Sequence, residues 1–163
     1  MTLVIREAVA GDDLVAAGAI VQQAYFSLPG YPHEPEYDAL LGDVAGRMHH
    51  ARVAFAFLDG RLVGCLTFLD DNDSPHAEHD DDEAASFRYF GVDPSVQGKG
   101  VGEAMVRWCI DETRRVGLHR LRIHTLDVMP GAQRLYLRMG FEREPELDED
   151  WDGIIGLAFV HHL

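Results

Sequence analysis

The spacing of apolar residues changes period several times along the chain, and each change marks an element. Leu3, Val4 and Ile5 predict a short strand ahead of Gly11-Asp12-Asp13, which is turn and helix N-cap chemistry. From there Leu14, Ala17, Gly18, Val21, Ala24 and Tyr25 recur at helical spacing. Pro29, Pro32 and Pro35, with Gly30, predict irregular backbone over 27–36. A weaker helix is expected from about Tyr37 to His49. Two apolar runs, Val53–Leu58 and Leu62–Phe68, flank Asp59-Gly60, the residue pair of a tight primed turn, and predict a hairpin. Residues 70–83 hold eight acids, no Lys or Arg and no apolar period, so a solvated loop is expected.

A further strand is predicted from about Ser86 to Val92, ending at Asp93-Pro94. A glycine-rich stretch then leads into a helix whose Val101, Ala104, Met105, Trp108 and Cys109 share a face, with Gly117 as its stop. Arg120 to Leu126 alternates Leu121, Ile123 and Thr125 against Arg120, Arg122 and His124, a strand pattern. Pro130 suits a first helical position, and Ala132, Leu135, Tyr136 and Met139 continue at helical spacing to Gly140. Two last strands are expected near Phe141 and from Ile154 to Val160, parted by an acidic loop from Glu144 to Asp152. Strands grouped early, then strand–helix–strand–helix, make the predicted class α/β: an α+β mixed sheet flanked by helices. At 163 residues the chain is expected to be one domain, 1–163.

Charge narrows the partners. There are 14 Lys+Arg against 28 Asp+Glu, a formal net charge of −14. A polyanion would find no basic footprint, which argues against nucleic acid and anionic membranes. Cys65 and Cys109 lie in apolar patterns without a CxxC partner, so no disulfide framework or cysteine zinc site follows. With no basic n-region before a long apolar stretch and no run near the ~18–20 residues of a membrane span, a cytoplasmic protein is expected. His76 and His79, among Asp80, Asp81 and Asp82, lack the rigid spacing of a metal site, and no metal is expected.

The candidate chemistry centres on Gln97-Gly98-Lys99-Gly100-Val101-Gly102, between a strand and a helix. Glycines at alternate positions let backbone N–H groups converge at the positive end of a helix dipole, which suits phosphate. The dinucleotide pattern G-x-G-x-x-G fails at Glu103, and the Walker pattern fails because Gly100 follows Lys99. A plain glycine turn remains the alternative. Residues 97–126 carry six bases against three acids, a basic island in an acidic chain; these bases either favour a phosphate ligand or pair with the acidic loops.

The stretch Phe90-Gly91-Val92-Asp93-Pro94-Ser95-Val96-Gln97-Gly98-Lys99-Gly100-Val101-Gly102 resembles the acyl-CoA pyrophosphate motif of the GNAT superfamily of N-acetyltransferases. Ala132-Gln133-Arg134-Leu135-Tyr136-Leu137-Arg138-Met139-Gly140-Phe141 is similar to that family's second motif. The resemblance implies the GNAT-like acyl-CoA N-acyltransferase fold and acetyl-CoA as cosubstrate. It further implies a V-shaped opening between the strands at Ser86–Val92 and Arg120–Leu126. Pantetheine would bond main-chain groups at Phe90 and Val92, the pyrophosphate would sit on the amides of Gln97, Gly98, Lys99, Gly100, Val101 and Gly102, and Tyr136 would lie near the thioester sulfur.

Acetyl transfer to an amine needs a neutral amine, a donor to the developing oxyanion and a proton for the leaving thiolate. A phenol of pKa about 10 can protonate a thiolate whose thiol has pKa about 8.5. Tyr136 is therefore the expected acid, with a core tyrosine as the alternative, and the Phe90 N–H the expected oxyanion donor. Ser86 stands where many family members carry a basic Glu, leaving Glu83 or a water chain as the proton route. Met129 replaces a frequent Asn. The expected acceptor is a small-molecule or peptide amine, cationic if the acids of 70–83 and 144–152 steer it past Trp151, Tyr31 or Phe26. A non-catalytic acyl-CoA-binding or sensing domain is the alternative function, and a homodimer is compatible with the sequence.

Overall fold

In the computed structural model, which describes residues 1–163, strand β1 (Leu3–Glu7) leads into helix α1 (Leu14–Phe26). The Asp13 carboxylate starts that helix by accepting from the Ala16 N–H at 2.9 Å. Helix α2 (Pro35–Gly42) has Pro35 in its first turn, where the missing N–H costs nothing, so regular structure resumes inside the stretch expected to be irregular. The single helix expected from Tyr37 to His49 is in fact two, because α3 (Val44–Arg47) restarts after Asp43. Asp43 leaves helical geometry at ψ 67° and caps the new helix through Gly46 N–H at 3.0 Å.

The hairpin of β2 (Arg52–Leu58) and β3 (Arg61–Leu69) turns at Asp59 and Gly60, both at positive φ, as a primed turn demands. Strand β4 (Ala84–Val92) pairs antiparallel with β3, and a loop carries the chain into α4 (Val101–Arg115). Then come β5 (Arg120–Leu126), α5 (Pro130–Arg138), a two-residue β6 (Glu142–Arg143), β7 (Glu149–Trp151) and β8 (Ile154–His162). Strand β7 was not expected: it is three exposed residues within the acidic loop, paired with β8. The eight strands form one mixed sheet, seven of them in the order β1-β2-β3-β4-β5-β8-β6, with β7 paired to β8 off that path. This is the α/β class expected from the chain.

The sheet is buried on both faces, which explains why β2 and β3 read as nearly continuous apolar runs. Ala54, Ala56, Leu66 and Phe68 pack with Met105, Cys109 and Tyr136 under α4 and α5. Val53, Phe55, Cys65 and Tyr89 pack with Ala17, Val21 and Leu41 under α1 to α3. Helix α1 lies directly on β4: a Cβ at Gly91 would meet the Val21 Cα at 2.8 Å, so only glycine permits that approach. Both cysteines are buried, and burial pushes the Cys65 thiol up to about 12.

The insert 70–83 is not the solvated loop expected. Asp81 accepts from Arg120 Nε at 2.7 Å and Arg122 Nε at 2.8 Å, and the Arg88 guanidinium donates to the His76 carbonyl at 2.8 Å. The basic island is largely neutralised in the same way. Arg107 pairs with Glu103, Arg114 with Asp111 and Arg115 with Glu112, while Arg120 and Arg122 hold Asp81; only Lys99 of the six is without an ion pair. Pairing along α4 and with the insert, not phosphate attraction, accounts for most of that charge.

These pairs set the acid limit of the fold. Arg115, with Arg52, holds the Glu112 carboxyl down to about 2 despite partial burial, and Arg143 holds Asp148 at about 2. The unfolded chain takes up protons near pH 4 at such groups. A depressed folded value means stability that is present above pH 4 and lost as pH falls toward 2. Thermal melts from pH 7 to pH 2 are expected to show a flat Tm down to about pH 5, then a steep fall. A Tm that falls evenly from pH 7 would contradict this.

Candidate active site

The sheet opens at its centre. Strands β4 and β5 run parallel and pair only through Ala84, Ala85 and Ser86 with Arg120, Leu121 and Arg122. Beyond Ser86 the two diverge, so the β5-facing backbone edge of β4 has no neighbouring strand. The Asp93 N–H donates to Val63 O on the β3 side at 2.7 Å. N–H groups alternate sides along a strand, which turns that of Val92 into the opening.

A bulge sharpens the divergence. Gly91 faces Cys65 and Arg88 faces Thr67, leaving Tyr89 and Phe90 opposite Leu66 alone. Tyr89 takes φ 51°, a left-handed value that strains a bulky side chain. Its buried ring is fixed by neighbours: Arg47 lies 4.5 Å and Arg88 4.3 Å from the ring centre. Arg47, itself fully buried, donates to Thr67 Oγ1 at 2.9 Å and to the Leu41 carbonyl at 3.1 Å. The α2 carbonyl end thus anchors the arginine that holds the bulge.

The opening continues into a cavity of about 1440 Å³. One end is the glycine loop. Gly98 and Gly100 sit at φ 82° and 81°, and Gly100 caps α4 with no side chain to occupy the helix's first N–H groups. Those donors are left for an anion. Phe90, Val92, Gln97, Gly98, Gly100, Val101 and Gly102 all line the cavity. Lys99 does not. Tyr136 lines the cavity from α5, 4% exposed, its ring among Phe87, Phe141 and Phe159. Its hydroxyl makes no hydrogen bond within the chain, and burial raises its pKa above the usual phenol value, so it stays protonated at neutral pH.

The structure does not bring Glu83 to this site. Glu83 precedes β4 at the closed end of the split, is 61% exposed, and pairs with Arg120 at 3.1 Å. It cannot reach an acceptor in the cavity. The chain's other acids separate likewise: Glu144 is held by Arg122 and Asp148 by Arg143, whereas Glu34, Glu78, Glu149 and Asp152 line the cavity. Tyr31 and Trp151 line it too, but Phe26 does not. The Trp151 ring packs against β8, where a Cβ at Gly156 would come within 2.6 Å of it.

Sequence reasoning missed Arg138, Arg88, Glu78, Tyr25 and Tyr37 as cavity residues. Arg138 stands two places after Tyr136 and has no ion pair, a position that motif spacing could have flagged. Glu78 sits in an acidic run where nothing local distinguishes it.

A glycine loop at a helix N-terminus, beside a split in a mixed sheet and a buried tyrosine, agrees with an acyltransferase, the class the family match shows. Residues 18–141 match the model of the acetyltransferase (GNAT) family. The chain belongs to that family. Its fold is also that of solved structures. An acetyltransferase of the GNAT family from Desulfovibrio desulfuricans aligns at 16% identity and TM-score 0.74, over 99% of both chains. A GNAT acetyltransferase from Elizabethkingia anophelis, solved with acetyl-CoA bound, aligns at 16% identity and TM-score 0.68, over 99% of this chain and 98% of that one. The PaiA N-acetyltransferase from Thermoplasma acidophilum, in complex with coenzyme A, aligns at 16% identity and TM-score 0.71 over the whole of both chains. No curated protein matches the chain in sequence. No helix is long and apolar enough to cross a membrane.

Proposed function

We propose that the protein transfers an acetyl group from acetyl-CoA to a primary amine by direct attack. The observation that carries this reading is the joining of three features in one cavity: the uncapped α4 N-terminus, the unpaired edge of β4 and the Tyr136 hydroxyl. The site fits the cosubstrate, because free N–H groups at Val101 and Gly102 suit a pyrophosphate and the β4 edge at Val92 suits an amide chain. Bound acetyl-CoA supplies the acyl group as a thioester. The Phe90 N–H, at the bulge on the cavity wall, is the donor to the acyl oxygen as negative charge develops there. As the amine nitrogen bonds to the acyl carbon and the carbon–sulfur bond breaks, Tyr136 gives its proton to the sulfur. The nitrogen's surplus proton restores the phenol.

The acceptor end favours a cation. Glu34, Glu149 and Asp152 line the cavity with Trp151 and Tyr31, where an ammonium meets both charge and aromatic rings. An amine panel of spermidine, a lysine-ended peptide and glutamate, read by free-thiol release, tests the reading. Cationic acceptors are expected to react and glutamate to lag. Raising salt from low to physiological strength should raise the amine's KM about threefold while kcat holds. Acetyl-CoA binding without thiol release on any amine would favour the non-catalytic alternative.

A further inference from the structure

The insert 70–83 delivers one carboxylate into the cavity, and that carboxylate is under-satisfied. Glu78 lines the acceptor half and accepts no hydrogen bond from the chain. Its one ion-pair partner, Arg88 on β4, stands at 3.5 Å, well beyond the ~2.7–2.9 Å of a charge-assisted hydrogen bond. Its side chain is only 15% exposed. The other cavity acids differ: Glu103 pairs with Arg107 on the surface of α4. Glu34 spends its oxygens capping α2, at 2.7 Å from the Tyr37 N–H and 3.2 Å from the Glu36 N–H. Glu149 and Asp152 are exposed on the β7–β8 hairpin.

Glu78 also lines a second, smaller cavity of about 450 Å³, walled by His79, Asp80, Arg122, His124 and Glu149. His79 accepts from the Asp81 N–H at Nδ1, at 3.1 Å, which places its proton on Nε2; that nitrogen is buried with no partner. His124 donates through Nε2 to the Leu147 carbonyl at 3.0 Å, leaving Nδ1 as an acceptor. The glutamate therefore stands between the acceptor cavity and a polar chamber whose walls can give and take protons.

We propose that Glu78 docks the ammonium group of the acceptor and takes its proton, which leaves through the smaller cavity past His79 and His124. This rests on the acetyl-transfer reading above. In the step, the carboxylate accepts one proton from the ammonium, which becomes a neutral amine with a free electron pair, and Glu78 becomes a carboxylic acid. The acid then loses that proton to solvent in the smaller cavity. Tyr136 and the nitrogen exchange the second proton as already described, so one proton is released per acetyl group moved. The groups around Glu78 are Arg88 and Tyr89 from β4, Tyr25 from α1, Tyr37 from α2, His124 from β5 and Glu149 from β7. Burial raises its pKa above the usual carboxylate value, Arg88 and His124 oppose that rise, and Glu149 adds to it. A raised carboxyl is a better proton acceptor near neutral pH.

The test uses n-propylammonium, small enough to enter whatever acceptor the cavity takes, and the Glu78→Gln variant of the full chain. Calorimetry at pH 6 should show wild type binding n-propylammonium at least tenfold more tightly than the variant, with acetyl-CoA affinity equal in both. With n-propylamine as acceptor, kcat/KM of the variant at pH 7 should fall about 10²-fold and recover toward wild type near pH 10, where the amine loses its proton unaided. Glu78→Asp, which keeps a charge beside Arg88 but withdraws it by one methylene, should lose part of the same binding if Glu78→Gln misfolds. Equal or absent n-propylammonium binding in wild type and variants, or a parallel pH profile, would overturn the proposal. Differential binding with no thiol release by wild type would instead overturn acetyl transfer and leave the dock standing.

Discussion

Gly102→Glu is expected to weaken acetyl-CoA binding by roughly 10³-fold while leaving the fold intact. The second residue of α4 lies on the cavity wall, among the N–H groups that no side chain caps. A carboxylate there faces any phosphate held by the helix terminus. At 4 Å two like charges repel by about 4 kcal/mol at an effective dielectric of about 20, and 1.4 kcal/mol is roughly tenfold in Kd. The fold tolerates the change, since a Cβ at Gly102 meets only Leu135 at 3.6 Å, Phe90 at 3.7 Å and Val92 at 3.9 Å, all ordinary contacts. Gly100 is the poorer probe because its φ of 81° would add backbone strain to the charge effect. Titration calorimetry beside a melting curve decides the matter. Wild-type affinity in a natively melting variant would remove the phosphate from this loop.

Tyr136→Phe is expected to lower kcat about 10²-fold with little change in acetyl-CoA affinity. The ring is wedged among three phenylalanines, and phenylalanine keeps that packing. The hydroxyl has no partner in the chain, so its removal breaks no internal hydrogen bond and the melting curve should scarcely move. Loss is confined to the proton given to the leaving sulfur. Pre-steady-state thiol release separates chemistry from product release, which can mask the effect in steady-state turnover. An unchanged chemical rate would return Tyr136 to a packing role.

The parts of the fold written in local patterns were readable, and those written between distant residues were not. The Asp59-Gly60 hairpin, the alternation of β5 and the Pro130 start of α5 each follow from a few neighbouring residues. The break at Asp43 hides inside a helical pattern because aspartate caps one helix as readily as it tolerates another's end. The insert looked solvated because nothing within 70–83 announces its partners; Arg120 and Arg122 lie 39 and 41 residues from Asp81. The same blindness made Glu83, with a water chain as the alternative, a candidate proton route, although it lies at the closed end of the split. The shape of the glycine loop was legible because it depends on consecutive backbone groups. The bulge was not, since the residue at its left-handed position is a tyrosine and carries no glycine to flag it.

That tyrosine has a consequence for how the protein can be improved. A bulky residue at φ 51° holds about 1–3 kcal/mol of strain, against about 5–15 kcal/mol for the whole of a typical fold. Selection for stability alone would put glycine at position 89 and release it. Glycine would also remove the ring that Arg47 and Arg88 clasp, and with it the means of fixing where Phe90 points. Position 89 is thus a place where robustness has been surrendered for a fixed strand shape, and a thermostabilised variant should be sought everywhere but there.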